Sequence, residues 1–304
     1  MFKKFNNLTL IIALAALVGV YFIVQYTGGK KKSKSLRTEL VQIDTAKVSK
    51  VTIEANGELV DIYQESGLWK LKLSDGKIVG GSDANIKSAL GALLTVKPSR
   101  MASRKESKWT EYQVDDSTGT RVQVYEGSDK TLDIMLGRFG VQGQKSYHTF
   151  VRLFEDKEVY VANNFMNFSV PSDAASYRNQ QLMRTDQDTL IAVTLNYPAD
   201  SSLQLSNNAG LWFANGQLAD STAIIDYFSA LDFVNSKAFE DDNENITIPV
   251  LTARYSFSNR EDITIDAYQK NNEWVINSSE NKEGYFKDAE LMKSLFVGLS
   301  YFVK

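Results

Sequence analysis

One order of elements runs through this chain twice, and that recurrence limits it to folds built from antiparallel sheet modules. Short alternating segments come first: Lys50 to Glu54, Leu59 to Tyr63 and Leu68 to Leu73, separated by Asn56-Gly57 and Glu65-Ser66-Gly67. Alternation of period two with Gly, Asn and Ser at the ends predicts strands joined by tight turns, and Asn-Gly is the pair that a two-residue hairpin turn favours. A helix is predicted next. Ser82 or Asp83 can cap it, and Ile86, Ala89, Leu90, Leu93 and Leu94 recur on one helical face before Pro98. Four more strands follow, Arg121 to Glu126, Thr131 to Leu136, Tyr147 to Leu153 and Val159 to Ala162.

The second pass repeats that order. Thr189 to Leu195, Ser202 to Leu205 and Leu211 to Ala214 stand for the first three strands, with Gly210-Leu211-Trp212 matching Gly67-Leu68-Trp69. Asp220 or Ser221 caps a second helix whose Ile224, Tyr227, Phe228 and Leu231 share a face. Strands at Ala253 to Ser258, Ile263 to Tyr268, Glu273 to Asn277 and Gly284 to Phe286 precede a C-terminal helix carrying Leu291, Leu295, Phe296 and Leu299. The offset falls from 143 at the tryptophans to 131 at Val122 and Ala253, as loop-length changes in a duplicated unit would produce. The expected fold class is α+β: an N-terminal transmembrane helix, then two repeated modules of antiparallel sheet, each with a helix packed on one face.

The transmembrane expectation comes from Leu8 to Tyr26, a stretch without charge. As a helix it would cover about 28 Å, close to the hydrocarbon thickness of a bilayer. A cleaved signal peptide would need a shorter apolar run ending at a small-x-small site; here such triplets fall in mid-run near Ala13 and Ala15, and bulky residues follow. The reading is an uncleaved signal-anchor with the lipid bilayer as partner, dividing the chain into an anchor (1–29), a basic linker (30–43) and modules at 44–184 and 185–304. Lys3 and Lys4 precede the span, and Lys30, Lys31, Lys32, Lys34 and Arg37 follow it. Counted simply, those charges place the large domain in the cytoplasm.

Beyond Glu39, 27 basic residues face 36 acidic ones, a net charge of −9. That balance excludes a phosphate-binding surface of the usual kind, so no nucleic acid is expected as partner. The chain has no cysteine, which removes thiol catalysis and zinc–thiolate sites. No catalytic, cofactor or metal set emerges. His148 is the single histidine and reads as structural. The run Glu240 to Asn245 lacks the glycine and the closing glutamate of an EF-hand loop and reads as solvated. The Ser74/Lys77 and Ser279/Lys282 pairs lack the companion motifs of serine acyl-transfer enzymes. Asp116-Ser117-Thr118-Gly119 has one residue too many for an aspartic-protease triplet. Trp69, Trp109, Trp212 and Trp274 are expected at strand positions filling cores. GRFGVQG, with Gly137, Gly140 and Gly143, reads as a hairpin tip, and Arg138, Gly140, Gly143, Tyr147 and Arg152 form the candidate surface for a ligand or partner.

Several stretches together carry a resemblance: Trp69 to Leu71, ALLTVK (Ala92 to Lys97), WTEYQVDDSTGTRVQVYE (Trp109 to Glu126), LDIMLGRFG (Leu132 to Gly140) and TFVRLFEDKEVYVA (Thr149 to Ala162). This succession resembles the family catalogued as domain of unknown function 4340, well over Leu68 to Arg184 and loosely beyond. Where many members carry Tyr-Gly-Leu, this chain has Tyr112-Gln113-Val114. The resemblance implies a bacterial inner-membrane protein with one N-terminal span and a periplasmic domain, opposite to the simple charge count. It also implies a gene neighbour of gliding-motility-type ABC transporters, whose subunits become candidate partners. The function expected is a non-catalytic binding or scaffolding subunit; the alternative is a periplasmic glycan- or ligand-binding module or envelope enzyme.

Overall fold

A computed structural model describes residues 37, 39–142, 146–163, 166–198, 201–243 and 246–303. The apolar stretch Leu8 to Tyr26, most of the basic linker and Gly143 lie outside these. Among the described residues no helix is long and apolar enough to cross a membrane.

Two large antiparallel sheets organise the chain. The first holds β1 (Val48–Ala55), β2 (Glu58–Glu65), β3 (Leu68–Lys72), β4 (Ile78–Gly80), β5 (Pro98–Ser103), β6 (Thr120–Glu126), β7 (Asp129–Gln142), β8 (Ser146–Leu153) and β9 (Val159–Ala162). Its order is β4-β3-β2-β1-β6-β7-β8-β9-β5. A small sheet pairs β10 (Gln181–Arg184) with β15 (Phe233–Asn235), and Leu182 and Met183 of β10 join the core of the second large sheet. That sheet holds β11 (Leu190–Asn196), β12 (Ser202–Asn208), β13 (Leu211–Ala214), β14 (Gln217–Leu218), β16 (Leu251–Phe257), β17 (Ile263–Lys270), β18 (Glu273–Ser278) and β19 (Asn281–Phe286). Its order, β14-β13-β12-β11-β16-β17-β18-β19, is that of the first eight strands of the other sheet. The helices are α1 (Asp83–Leu94), α2 (Trp109–Tyr112), α3 (Met166–Ser169), α4 (Ser221–Leu231) and α5 (Ala289–Leu295), with 3-10 turns at Ala174–Tyr177 and Leu299–Tyr301.

The turns follow from local chemistry. Asn56 and Gly57 both take positive φ, +53° and +80°, which a type I′ turn requires at its two central positions. Ala209 takes φ +53° before Gly210, an unusual state for a residue with a Cβ; the Asn207 Oδ1 accepting the Gly210 N–H at 2.9 Å helps hold that turn.

Apolar faces then drive packing. Ile86, Leu90 and Leu93 of α1 pack with Val51, Ile62, Leu71, Val124 and Ile134 of the first sheet. At about 1.5–3 kcal/mol for each large side chain buried, these three outweigh the ~1 kcal/mol of the Ser82 cap. Leu94, expected on that face, is exposed, and Val96 is buried instead. In the second module Tyr227, Phe228 and Leu231 of α4 pack with Val193, Leu205, Tyr255 and Ile265.

The two halves share hydrogen bonds as well as strand order. Gly81 N–H donates to the Trp69 carbonyl at 2.8 Å, and Ala219 N–H to the Trp212 carbonyl at 2.9 Å. The next residue, the cap of each helix, donates its own N–H to a buried aromatic near the module's end: Ser82 to the Tyr177 carbonyl at 2.7 Å, Asp220 to the Phe302 carbonyl at 2.8 Å.

Four local expectations change. Pro98 does not merely follow a helix; it opens β5, where an edge position tolerates a residue without an N–H. Trp109 starts the helical turn α2 rather than a strand. α5 ends at Leu295, so Leu299 falls in a separate turn. Finally, β7 runs through Gly137 and Gly140, which are strand residues and not a tip.

Candidate functional site

Of the sequence-predicted residues, Arg138, Gly140 and Tyr147 lie where β7 and β8 outrun their sheet. β6 pairs with β7 only as far as Leu136, and β9 pairs with β8 only from Thr149, so beyond Phe139↔Thr149 the pairs Gly140↔His148 and Val141↔Tyr147 form a two-stranded ribbon. Alternation sorts its side chains. Phe139, Val141 and Tyr147 lie on one face and are 48%, 56% and 52% exposed.

The opposite face is built for packing. Arg138 donates from Nε to the Glu111 carbonyl at 2.9 Å, and its guanidinium carbon lies 4.9 Å from the Phe150 ring centroid. A Cβ on Gly137 would come within 2.3 Å of the Tyr112 carbonyl oxygen, so glycine here permits α2 to lie against the strand. A Cβ on Gly140 would meet the His148 ring at 2.4 Å. His148 packs edge-on to Phe150, its Nδ1 buried with no hydrogen-bond partner among the described residues. Burial first, then Arg100 and Arg138, hold its imidazole below the usual value.

Arg152 lies beneath this surface, 1% exposed. Its guanidinium stacks 3.7 Å from the Trp109 ring centroid and donates to the carbonyls of Val114, at 3.0 Å, Phe154 and Asp156. Burial lowers its pKa despite nearby Asp116 and Asp115. Its neighbours Val114, Met135, Phe150, Val159 and Val161 form a small core that covers the sheet face opposite α1. The nearby DDSTG segment is likewise structural: burial raises the Asp115 pKa, but hydrogen bonds from Ser117 and Thr118 outweigh it and hold it at about 2. Farther along that polar face Asp133 accepts from Arg121 at 2.9 and 2.8 Å, from Gln123 at 2.9 Å and from Lys130 at 2.6 Å. Burial again opposes its charge, and these bonds prevail, holding its carboxyl at about 2.

A second surface went unseen in the sequence. Between β4 and the β18–β19 hairpin opens a cleft of about 650 Å³, lined by Lys70, Lys77, Gly80, Arg178, Asp241 and Glu283, among others. Arg178 bonds Asp241 through both terminal nitrogens, at 3.0 and 2.8 Å, and its guanidinium carbon lies 3.6 Å from the Phe239 ring centroid. Asp241 belongs to the acidic run read as a solvated loop, and its neighbours Glu240 and Asp242 hold Lys270 at 3.2 and 3.0 Å. No spacing rule announces an Arg–Asp pair formed across 63 residues. The Asp75-Gly76 turn, with Gly76 at φ +88°, was the one signal that could have located β4. Among the described residues no group of three or more His, Asp or Glu is placed to hold a metal ion.

Comparison with known proteins finds no match among curated proteins and none among solved structures. A family described as Domain of unknown function (DUF4340) matches residues 81–248, from just before α1 to the stretch beyond β15. That match covers more than half of the 304 residues and includes both Arg178 and Asp241. The chain therefore belongs to the DUF4340 family.

Proposed function

We propose that this protein is a non-catalytic, membrane-anchored envelope protein whose duplicated modules act as a binding or scaffolding subunit, accessory to an ABC-type transporter. In this reading Leu8 to Tyr26 is an uncleaved signal-anchor crossing the inner membrane once, and the modules lie in the periplasm. The observation that carries it is the ribbon face of Phe139, Val141 and Tyr147. Three exposed large side chains side by side on paired strands supply a surface on which a partner can pack.

The position of the ribbon supports the same reading. Arg37, the first described residue, pairs with Asp156 in the turn after β8 at 2.6 Å, and Leu40 and Val41 are buried in the first core. The ribbon is at the other end of β8, roughly 25 Å away for eight extended residues. In this reading the chain enters from the bilayer near Arg37, and the ribbon is the end offered to a partner. The shared strand order and the paired helix-cap hydrogen bonds support the duplication.

Purification of the full chain from membranes in mild detergent, followed by mass spectrometry, tests the proposal. Transporter subunits should be recovered with the native protein and lost with a Val141→Asp, Tyr147→Ser variant that melts normally. Reproducible recovery of none, or equal recovery by the variant, overturns it. Protease digestion of intact spheroplasts tests the orientation, since a protected domain means a cytoplasmic one.

A further inference from the structure

The strand that closes one end of the first sheet has an unused side. β4 is last in the order, with β3 as its single neighbour. Leu73 N–H donates to the Lys77 carbonyl and Gly81 N–H to the Trp69 carbonyl, both at 2.8 Å, and Leu71 faces Val79 between them. Antiparallel ladders alternate, so Val79 directs its main-chain groups at β3 while Ile78 and Gly80 direct theirs away. No group among the described residues accepts from or donates to those outward N–H and C=O groups. They open instead into the cleft, which both residues line.

The opposite wall differs in this respect. The outer edge of β19 is already covered: Lys287 N–H donates to the Ala238 carbonyl and Glu240 N–H to the Tyr285 carbonyl, each at 2.8 Å. Among the described residues the β4 side therefore offers two residues' worth of unpaired ladder, spaced as a further antiparallel strand would need. Ile78, 59% exposed, adds an apolar cross-strand neighbour, and Gly80 presents no side chain to obstruct approach.

The charges lining the cleft select the occupant. Arg178 and Asp241 neutralise each other, and Glu280 is paired with Arg260. Lys77 donates to the main-chain carbonyl of Asp241, at 2.9 Å, and its field reaches the Asp242 carboxylate, which Lys270 already holds at 3.0 Å. Lys70 and Lys282 make no ion pair among the described residues. Against these three cations stands the carboxylate of Glu283, which lies so close over Gly80 that a Cβ there would meet Oε2 at 2.6 Å.

We infer that β4 is a strand-addition site that takes an extended, acidic segment of a partner protein. Main-chain hydrogen bonds from Ile78 and Gly80 hold the segment in register, and Lys70, Lys77 and Lys282 select carboxylate side chains along it. Glu283 covers the site in the unoccupied protein and repels the same carboxylates. The inference concerns a surface apart from the β7–β8 ribbon and does not depend on it.

The test uses the full chain in detergent and a fluorescein-labelled peptide of roughly eight residues alternating valine and aspartate, read by fluorescence polarisation. Saturable binding is expected, at least about tenfold weaker for the valine–lysine counterpart and weaker in salt. Ile78→Pro removes an outward N–H without touching the β3 ladder, so melting should be unchanged while affinity falls by about tenfold or more. Glu283→Gln should tighten binding severalfold. Absence of saturable binding, equal affinity for the two peptides, or Ile78→Pro binding like the native chain overturns the inference. Sedimentation showing concentration-dependent dimers that Ile78→Pro abolishes, without peptide binding, would assign the edge to a second copy of this chain and overturn it too.

Discussion

Arg178 grips Asp241 through two parallel hydrogen bonds across the seam of the molecule, with Phe239 under its guanidinium plane. Tyr177, the residue before Arg178, is buried in the first core, whereas Asp241 follows the stretch that covers β19 of the second sheet. Asn281 reinforces the join, its Nδ2 donating to the Asn179 carbonyl at 2.8 Å and the Gln181 carbonyl at 3.0 Å. The Arg178–Asp241 pair, with the longer Lys237–Asp173 contact at 3.9 Å, therefore couples two separately cored units.

Breaking that pair one-sidedly should be costly, because Arg178 is buried and would keep its charge without a counter-ion. Asp241→Asn is expected to destabilise by about 2–4 kcal/mol. In a double-mutant cycle with Arg178→Met the two losses should fall short of additive by at least ~1 kcal/mol. Urea unfolding followed by tryptophan fluorescence measures both, and single variants within ~0.5 kcal/mol of native would refute the coupling.

Asp133 sets an acid limit. Its carboxyl is held at about 2 against an ordinary 3.8, so the folded chain stays charged in acid that protonates the unfolded one. The stabilisation is complete above pH ~4, is lost as pH falls toward 2, and amounts to about 2 kcal/mol. Asp133→Asn should cost that much near neutral pH and progressively less in acid, as acid-titrated melting curves would reveal.

His148 acts in a milder range. Because its imidazole is held below the ordinary 6.5, protonation is harder in the folded state, and stability falls as pH drops from about 6.5 through the lowered value. His148→Leu should flatten that slope. Amide protection in the ribbon, taken relative to the intrinsic exchange rate at each pH, should fall in mild acid in the native chain and not in the variant.

The two strand glycines separate by what they approach. Gly137→Ala drives a Cβ into the main chain of α2 and should cost roughly 2–3 kcal/mol. Gly140→Ala meets the His148 ring, a side chain able to shift, and should cost less. Equal thermal stability of Gly137→Ala and native protein would show that α2 yields.

Gln113 offers a gain. It ends α2 at φ +54°, in the left-handed region that glycine enters without a Cβ penalty. Gln113→Gly should raise stability by about 0.5–1 kcal/mol in a thermal melt.

Much of the sheet framework was legible in the residues. Val122 and Val124 alternate with Arg121 and Gln123, which predicts one buried face for β6, and Asn56-Gly57 marks the β1–β2 turn plainly. Partner choice was not legible. β1 lies between β2, its hairpin mate, and β6, with Val51 opposite Val124, a pairing that core packing decides and no local signal records. Strand β5 escaped because PSRMAS lacks alternation and starts with proline, and β4 because three residues carry too little pattern. Within the candidate surface, Tyr147 is exposed as a contact residue should be, whereas Arg152 is buried under Trp109. A cation in an alternating strand reads the same whether its stem points to water or to an aromatic ring.

The bonds from Ser82 to Tyr177 and from Asp220 to Phe302 tie the beginning of each main helix to residues made much later. During synthesis the first module has nothing to seat that helix cap against until Tyr177 has emerged. The second waits in the same way for Phe302. Each half therefore behaves as a clasp fastened by its last link, and folding is expected to advance in two discrete steps as translation proceeds, the first complete while the second is still an open chain.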